Sequence, residues 1–72
     1  MDEIILTPES SSVRAIAYSK ATRELMVRFE SGTYYYLDVP ARVWREFKAA
    51  ESKGGFVNDV LKPLFDVRSS HA

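Results

Sequence analysis

The side chains with the most chemical promise lie in one stretch, from Arg45 to Asn58. Ser52-Lys53-Gly54-Gly55-Phe56 brings a hydroxyl, an ammonium group and two glycines together. Two glycines ahead of a short helix expose backbone N–H groups. With Ser52 and Lys53 beside them, they suit a phosphate or a carboxylate. The same residues also suit a plainer role, a helix C-cap followed by a tight turn, and that is the stronger reading of the glycine pair. The spacing is not that of a nucleotide-binding P-loop, which needs Lys-Ser or Lys-Thr after a second glycine. Upstream, Arg42, Arg45 and Lys48 recur at three-residue steps, which on a helix gives a basic ridge. Glu46 and Glu51 neutralise part of it. The candidate nucleic-acid contacts are therefore Arg45, Lys48, Ser52, Lys53 and Asn58, with Tyr35 as an outer aromatic.

Most catalytic chemistry is excluded. The chain has no cysteine, so it has no thiolate nucleophile, no disulfide framework and no cysteine metal site. Its one histidine, His71, lies in the polar tail Ser69-Ser70-His71-Ala72, which argues against a histidine base or a metal cluster. The carboxylates are scattered and no pair stands out as acid and base. Serines are plentiful, but no base is placed to activate one. The expectation is no catalytic residue, no metal and no cofactor.

These side chains need elements to hold them, and the central one is a hairpin, Glu24 to Asp38. In the first arm Leu25, Val27 and Phe29 alternate with Met26, Arg28 and Glu30. A turn at Ser31-Gly32 pairs Phe29 with Tyr34 and Val27 with Tyr36. Leu25, Val27, Phe29, Tyr34 and Tyr36 then share the core face. The outer face carries Arg28 beside Tyr35 and Met26 beside Leu37. Core packing is thus the stronger reading of Tyr34 and Tyr36, against a role as a stacking platform for bases. Ser-Gly is a weak two-residue turn, so a longer loop with Gly32 left-handed is the alternative.

Val13–Tyr18 is a further strand candidate, joined to the hairpin by a short polar connection. Ile4-Ile5-Leu6 reads as a short edge segment in an N-terminal extension, residues 1–9. From Pro40 the spacing turns helical, with Val43, Trp44, Phe47 and Ala50 forming one apolar stripe. That helix runs without a good break to Gly54, a natural left-handed stop. A second, short helix carries Phe56, Val57, Val60 and Leu61 and ends at Pro63. Leu64–Arg68 adds a last extended segment. The expected fold is α+β: a three-stranded antiparallel β-meander with two C-terminal α-helices packed on one face, within a single domain at residues 10–68 and a tail at 69–72.

Composition sets the outer bounds. Seventy-two residues make one small domain, and 46% hydrophobic content with 12% aromatic is ample for a folded core. Ten basic residues balance ten acidic ones. Residues 1–39 hold four basic against six acidic residues, and residues 40–72 hold six against four. This counts against strongly electrostatic nucleic-acid binding and leaves room for a basic patch on the C-terminal half. No apolar run is long enough to span a membrane, and the acidic start Met1-Asp2-Glu3 is unlike a signal peptide. A cytoplasmic location is the expectation.

Taken together, Ser11-Ser12-Val13, Ala15-Ile16-Ala17-Tyr18, Leu25-Met26-Val27-Arg28-Phe29, Ser31-Gly32, Tyr34-x-Tyr36, Asp38-Val39-Pro40, Ala50-x-Ser52-x-Gly54 and Phe56-Val57-Asn58 resemble the KTSC domain. The resemblance covers about residues 10–65 and rests on the order and spacing of all these pieces. It implies a small domain found at the C-terminus of some lysyl-tRNA synthetases and also free-standing in bacteria and phages. This chain resembles the free-standing form. The family's Tyr-x-Tyr falls on Tyr34 and Tyr36 and its Phe-Val-Asn on Phe56 to Asn58, while Trp44 and Phe47 are core candidates from the helical stripe. Gly55 departs from the pattern, which has a larger and often basic residue there. No activity is implied. The tie to a tRNA ligase implies RNA as a first candidate partner, and a protein-interaction adaptor working through Met26, Tyr35 and Leu37 is the alternative.

Overall fold

In the computed structural model, which describes residues 2–8, 10 and 12–70, one antiparallel sheet carries a helical layer. The strands are β1 (Glu3–Leu6), β2 (Val13–Ser19), β3 (Glu24–Phe29), β4 (Gly32–Tyr36) and β5 (Val67–Ser70). They lie in the order β1-β2-β3-β4-β5, so every neighbour in the sheet is also a neighbour in the chain. The sheet has five strands where three are expected from the sequence. Ile4-Ile5-Leu6 pairs along β2, with Ile5 opposite Ile16. The last strand begins at Val67 and takes in Ser69-Ser70, pairing Val67 with Tyr36. Each end strand is only four residues long, which is too little alternation to stand out from coil by pattern alone. His71 lies outside the described residues.

The faces of the central hairpin are as expected, and its register is two residues off. Val27 stands opposite Tyr34 and Leu25 opposite Tyr36. A slip of two leaves every side chain on its own face, because the strand period is two. The turn falls at Glu30-Ser31, neither of which has a positive φ, and Gly32 opens β4 with φ 159°. On the outer face, Tyr35 therefore stands opposite Met26, not beside Arg28, and Met26 does not pair with Leu37. In β2 a bulge at Arg14 lets Val13 and then Ile16 and Tyr18 point to the core.

Between β4 and β5 the chain forms α1 (Ala41–Ala49), α2 (Lys53–Phe56), a π-helical turn (Val57–Leu61) and α3 (Lys62–Leu64). Pro40 precedes α1, and Val43, Trp44 and Phe47 form its buried stripe. The helix ends at Ala49, well short of Gly54. Gly54 is not a left-handed stop: it lies in the first turn of the next helical stretch, which Ser52 opens as N-cap. The second stretch is longer than expected at both ends. Pro63 sits inside it, and the Lys62 N–H reaches back to the Val57 carbonyl. A proline has no N–H for the ladder, and a widened turn just before it is one way to accommodate that loss.

The core fills the space between this layer and the sheet. Ile16, Leu25, Val27, Val39, Phe47 and Leu61 are fully enclosed. Tyr18 stacks on Trp44 (5.6 Å between centroids), Trp44 meets Phe47 edge-on (6.3 Å), and Phe47 stacks on Phe56 (5.0 Å). This aromatic row ties β2, α1 and α2 together. Tyr36, Trp44 and Phe47 are buried in this core, while Tyr34 and Phe56 are partly buried against it.

Candidate functional site

The turn between β1 and β2 is held by its own serines and threonine. Thr7 Oγ1 donates to the Val13 carbonyl (2.6 Å), and the Ser10 hydroxyl accepts from the Val13 N–H (3.1 Å). Side-chain oxygens thus replace ladder partners at the turn. The turn lies against the junction of α1 and α2. A Cβ on Gly54 would come 2.8 Å from Ser12 Oγ, so a side chain there would require the Ser12 hydroxyl to turn away. A Cβ on Gly55 would come 2.9 Å from Ser52 Oγ, which accepts the Gly55 N–H at 3.0 Å. That capping bond is a physical reason for glycine at a position where the family pattern has a larger residue.

Between turn and junction lies a cleft of about 590 Å³, lined by Ser10, Ser12, Lys48, Glu51, Ser52 and Lys53 among others. Three of the six candidate side chains meet there: Lys48, Ser52 and Lys53. The others do not. Arg45 and Asn58 are exposed on the helical layer and line neither this cleft nor its neighbour on the sheet. Tyr35 is on the opposite face of the sheet, under the Arg68 guanidinium at 4.7 Å.

Each lysine in the cleft also holds the fold. Lys53 Nζ donates to the carbonyls of Lys48 (3.0 Å) and Ala50 (2.5 Å), closing the end of α1. Its charge is not neutralised by those bonds. Lys48 Nζ sits over the Trp44 ring at 5.3 Å and pairs with Glu3 at 3.2 Å. Glu3 Oε1 also accepts the Trp44 indole N–H at 3.0 Å. The Trp44 bond first, then the Lys48 bond, hold the Glu3 carboxyl below its ordinary value of 4.5. The basic ridge is correspondingly broken up: Arg42 leans on Glu46 at 4.0 Å, Lys48 is matched by Glu3, and Arg45 makes no ion pair among the described residues. Glu3, Ser10 and Ser12 were not legible as site residues. They reach the site through β1–β2 pairing, and no local spacing reports a contact forty residues away in the chain.

Among the described residues no group of three or more histidines, cysteines or carboxylates is placed to hold a metal, and no helix is long and apolar enough to cross a membrane.

A five-stranded antiparallel meander with its helices inserted before the last strand defines a small α+β domain of one sheet and one helical layer. The chain belongs to the KTSC domain family, which it matches over residues 9–65. The crystal structure of a KTSC domain protein from Yersinia pestis superposes with a TM-score of 0.84 at 38% identity, covering 96% of this chain and all of that one. A protein of Tsukamurella paurometabola is 47% identical over 58 residues, which is 79% of this chain and 87% of the relative. A lysine–tRNA ligase of Nostoc sp. is 37% identical over 62 residues, spanning 85% of this chain but 11% of the ligase. The family has no known catalytic role, and the ligases match through this domain alone.

Proposed function

We propose that this chain is a non-catalytic binding module of the cytoplasm, with RNA as its first candidate partner. The observation that carries the reading is the cleft at the β1 edge. It gathers the Lys48 and Lys53 ammonium groups with the hydroxyls of Ser10, Ser12 and Ser52, all able to meet phosphate oxygens. The kinship with lysine–tRNA ligases supports the choice of RNA over other polyanions. The balance of charge, with Glu51 in the same cleft and a net charge of zero, limits the contact to one or two phosphates. Binding is then weak and its salt dependence shallow, with log K falling by roughly 0.7 per phosphate against log salt. Fluorescence anisotropy of a labelled single-stranded RNA, measured across a salt series, tests this. Saturable binding with that slope, reduced in Lys48→Gln, is the expected result. Binding equal in Lys48→Gln and the natural protein would place the RNA elsewhere.

A protein-interaction adaptor is the second reading, favoured by the outer sheet face. Ile4 and Leu6 are 64% and 75% exposed there, Ile4 in line with the Met26–Tyr35 pair through Ala17 and Leu6 in the neighbouring row of Arg28 and Thr33. Sedimentation that shows association insensitive to salt would favour it.

A further inference from the structure

Tyr18 and Tyr36 are almost equally buried, at 3% and 2% exposure, yet their hydroxyls are treated differently. Tyr18 Oη donates to the Val39 carbonyl at 2.5 Å. No hydrogen bond to the Tyr36 hydroxyl forms among the described residues. It is nevertheless not sealed in, since no enclosed side-chain polar atom of the described residues lacks a partner. A buried phenol that has neither partner nor seal must open onto space of its own. That space is a second cleft, of about 400 Å³, lined by Phe29, Ser31, Tyr34, Tyr36, Lys62 and Val67.

The cleft exists because the helical layer covers the sheet unevenly. The buried stripe of α1 and the residues Val57 and Leu61 lie over β2 to β4. Val67, opposite Tyr36 and so on the same side of the sheet as the helices, is left 51% exposed. Phe29 and Tyr34 meet edge to face at 5.6 Å and 72°, giving the cleft an aromatic corner. Its polar groups are biased to donation. Lys62 donates only, and the hydroxyls of Ser31, Tyr34 and Tyr36 can each donate. No carboxylate lines it, and Lys62 makes no ion pair among the described residues.

We infer that this β5-edge cleft binds a small molecule consisting of a flat ring with one anionic group, the ring against Phe29 and Tyr34 and the anion at Lys62 and the Tyr36 hydroxyl. The size is that of an ordinary small-molecule site. Burial, with a smaller contribution from Tyr34, holds the Tyr36 phenol above its ordinary value of 10.0, so it keeps its proton and remains a donor at neutral pH. The site lies at the opposite edge of the sheet from the lysine–serine cleft and does not depend on the RNA reading. Nucleoside monophosphates and aromatic carboxylates share the required chemistry.

The test is an NMR titration of the labelled full chain, following backbone amides and tyrosine rings. Separate arms use each of the four nucleoside 5′-monophosphates and 4-hydroxybenzoate. Saturable shifts confined to Phe29, Tyr34, Tyr36, Lys62 and Val67 in any arm are expected, and the arm that saturates names the source. Tyr36→Phe removes only the hydroxyl and leaves the thermal midpoint unchanged, because that hydroxyl holds nothing in the protein. It weakens binding at least about fivefold, as does Lys62→Gln. No saturable shift at these residues in any arm would overturn the inference. So would affinity that survives both substitutions intact.

Discussion

Ser52 shows how closely a candidate site residue and a structural residue can coincide. By sequence its hydroxyl suits an anion contact, and in the fold it caps the second helical stretch through the Gly55 N–H. Ser52→Ala removes that cap and is expected to lower stability by about 1 kcal/mol, measurable by urea denaturation. A loss below the error of the measurement would mean that the cap is dispensable and the serine is free for another role. Arg23 gives a prediction of opposite sign. It has φ 60°, a left-handed conformation unfavourable for a side chain of its kind, in the turn closed by its N–H to the Ser19 carbonyl. Arg23→Gly relieves that strain at the expense of unfolded-state entropy, and a net gain of roughly 0.5 kcal/mol is expected as a raised melting temperature. A lowered melting temperature would show that the arginine side chain contributes more than its backbone costs.

At the scale of elements, the attachment of β1 to α1 rests on Glu3, which accepts from both Trp44 and Lys48. Its carboxyl is held below 4.5 in the folded state, so the folded protein takes up this proton less readily than the unfolded chain. The contribution is whole above about pH 4.5 and is lost as pH falls through the lower folded value. Trp44 is the one tryptophan, so its fluorescence reports on the contact directly. An emission change is expected below pH 4.5 in the natural protein and absent in Glu3→Gln, which keeps an acceptor but cannot titrate. The same change in both proteins would assign the signal to another group.

This attachment also explains what could be read from the sequence. The central hairpin and the stripe Val43-Trp44-Phe47 announce themselves because alternation and helical spacing repeat over enough residues. The register did not, since two registers that differ by two residues bury the same side chains. The helix break falls earlier than the sequence suggests, because glycine usually ends helices. Here the glycines serve close approach, of Gly54 to Ser12 and Gly55 to Ser52. β1 and β5 are made by pairing with partners already in place, and short strands of this kind carry little pattern of their own. Of the candidate site, Lys48, Ser52 and Lys53 were legible from one local stretch. The serines that face them arrive from the other end of the chain.

On the scale of the whole molecule, the sheet separates two faces with different prospects. The helical side holds the core and a cleft at each edge of the sheet. The outer side exposes Ile4 and Leu6 and carries the cross-strand pairs Arg14–Glu30 (3.3 Å) and Arg68–Glu24 (3.1 Å). Those pairs cancel charge locally, while the lysine–serine cleft gathers Lys53, which makes no ion pair among the described residues, with Lys48, which is matched by Glu3, and with the serine hydroxyls. The proposal that this domain is an RNA-binding module therefore stands on one location. The most direct measurement is an NMR titration of the labelled protein with short single-stranded RNA, tRNA and duplex DNA at low and moderate salt. The account predicts saturable shifts at Ser12, Lys48, Ser52, Lys53 and Gly54 with RNA, weakening as salt rises. Absence of shifts with all three nucleic acids, or shifts confined to the outer face around Met26 and Tyr35, would contradict it.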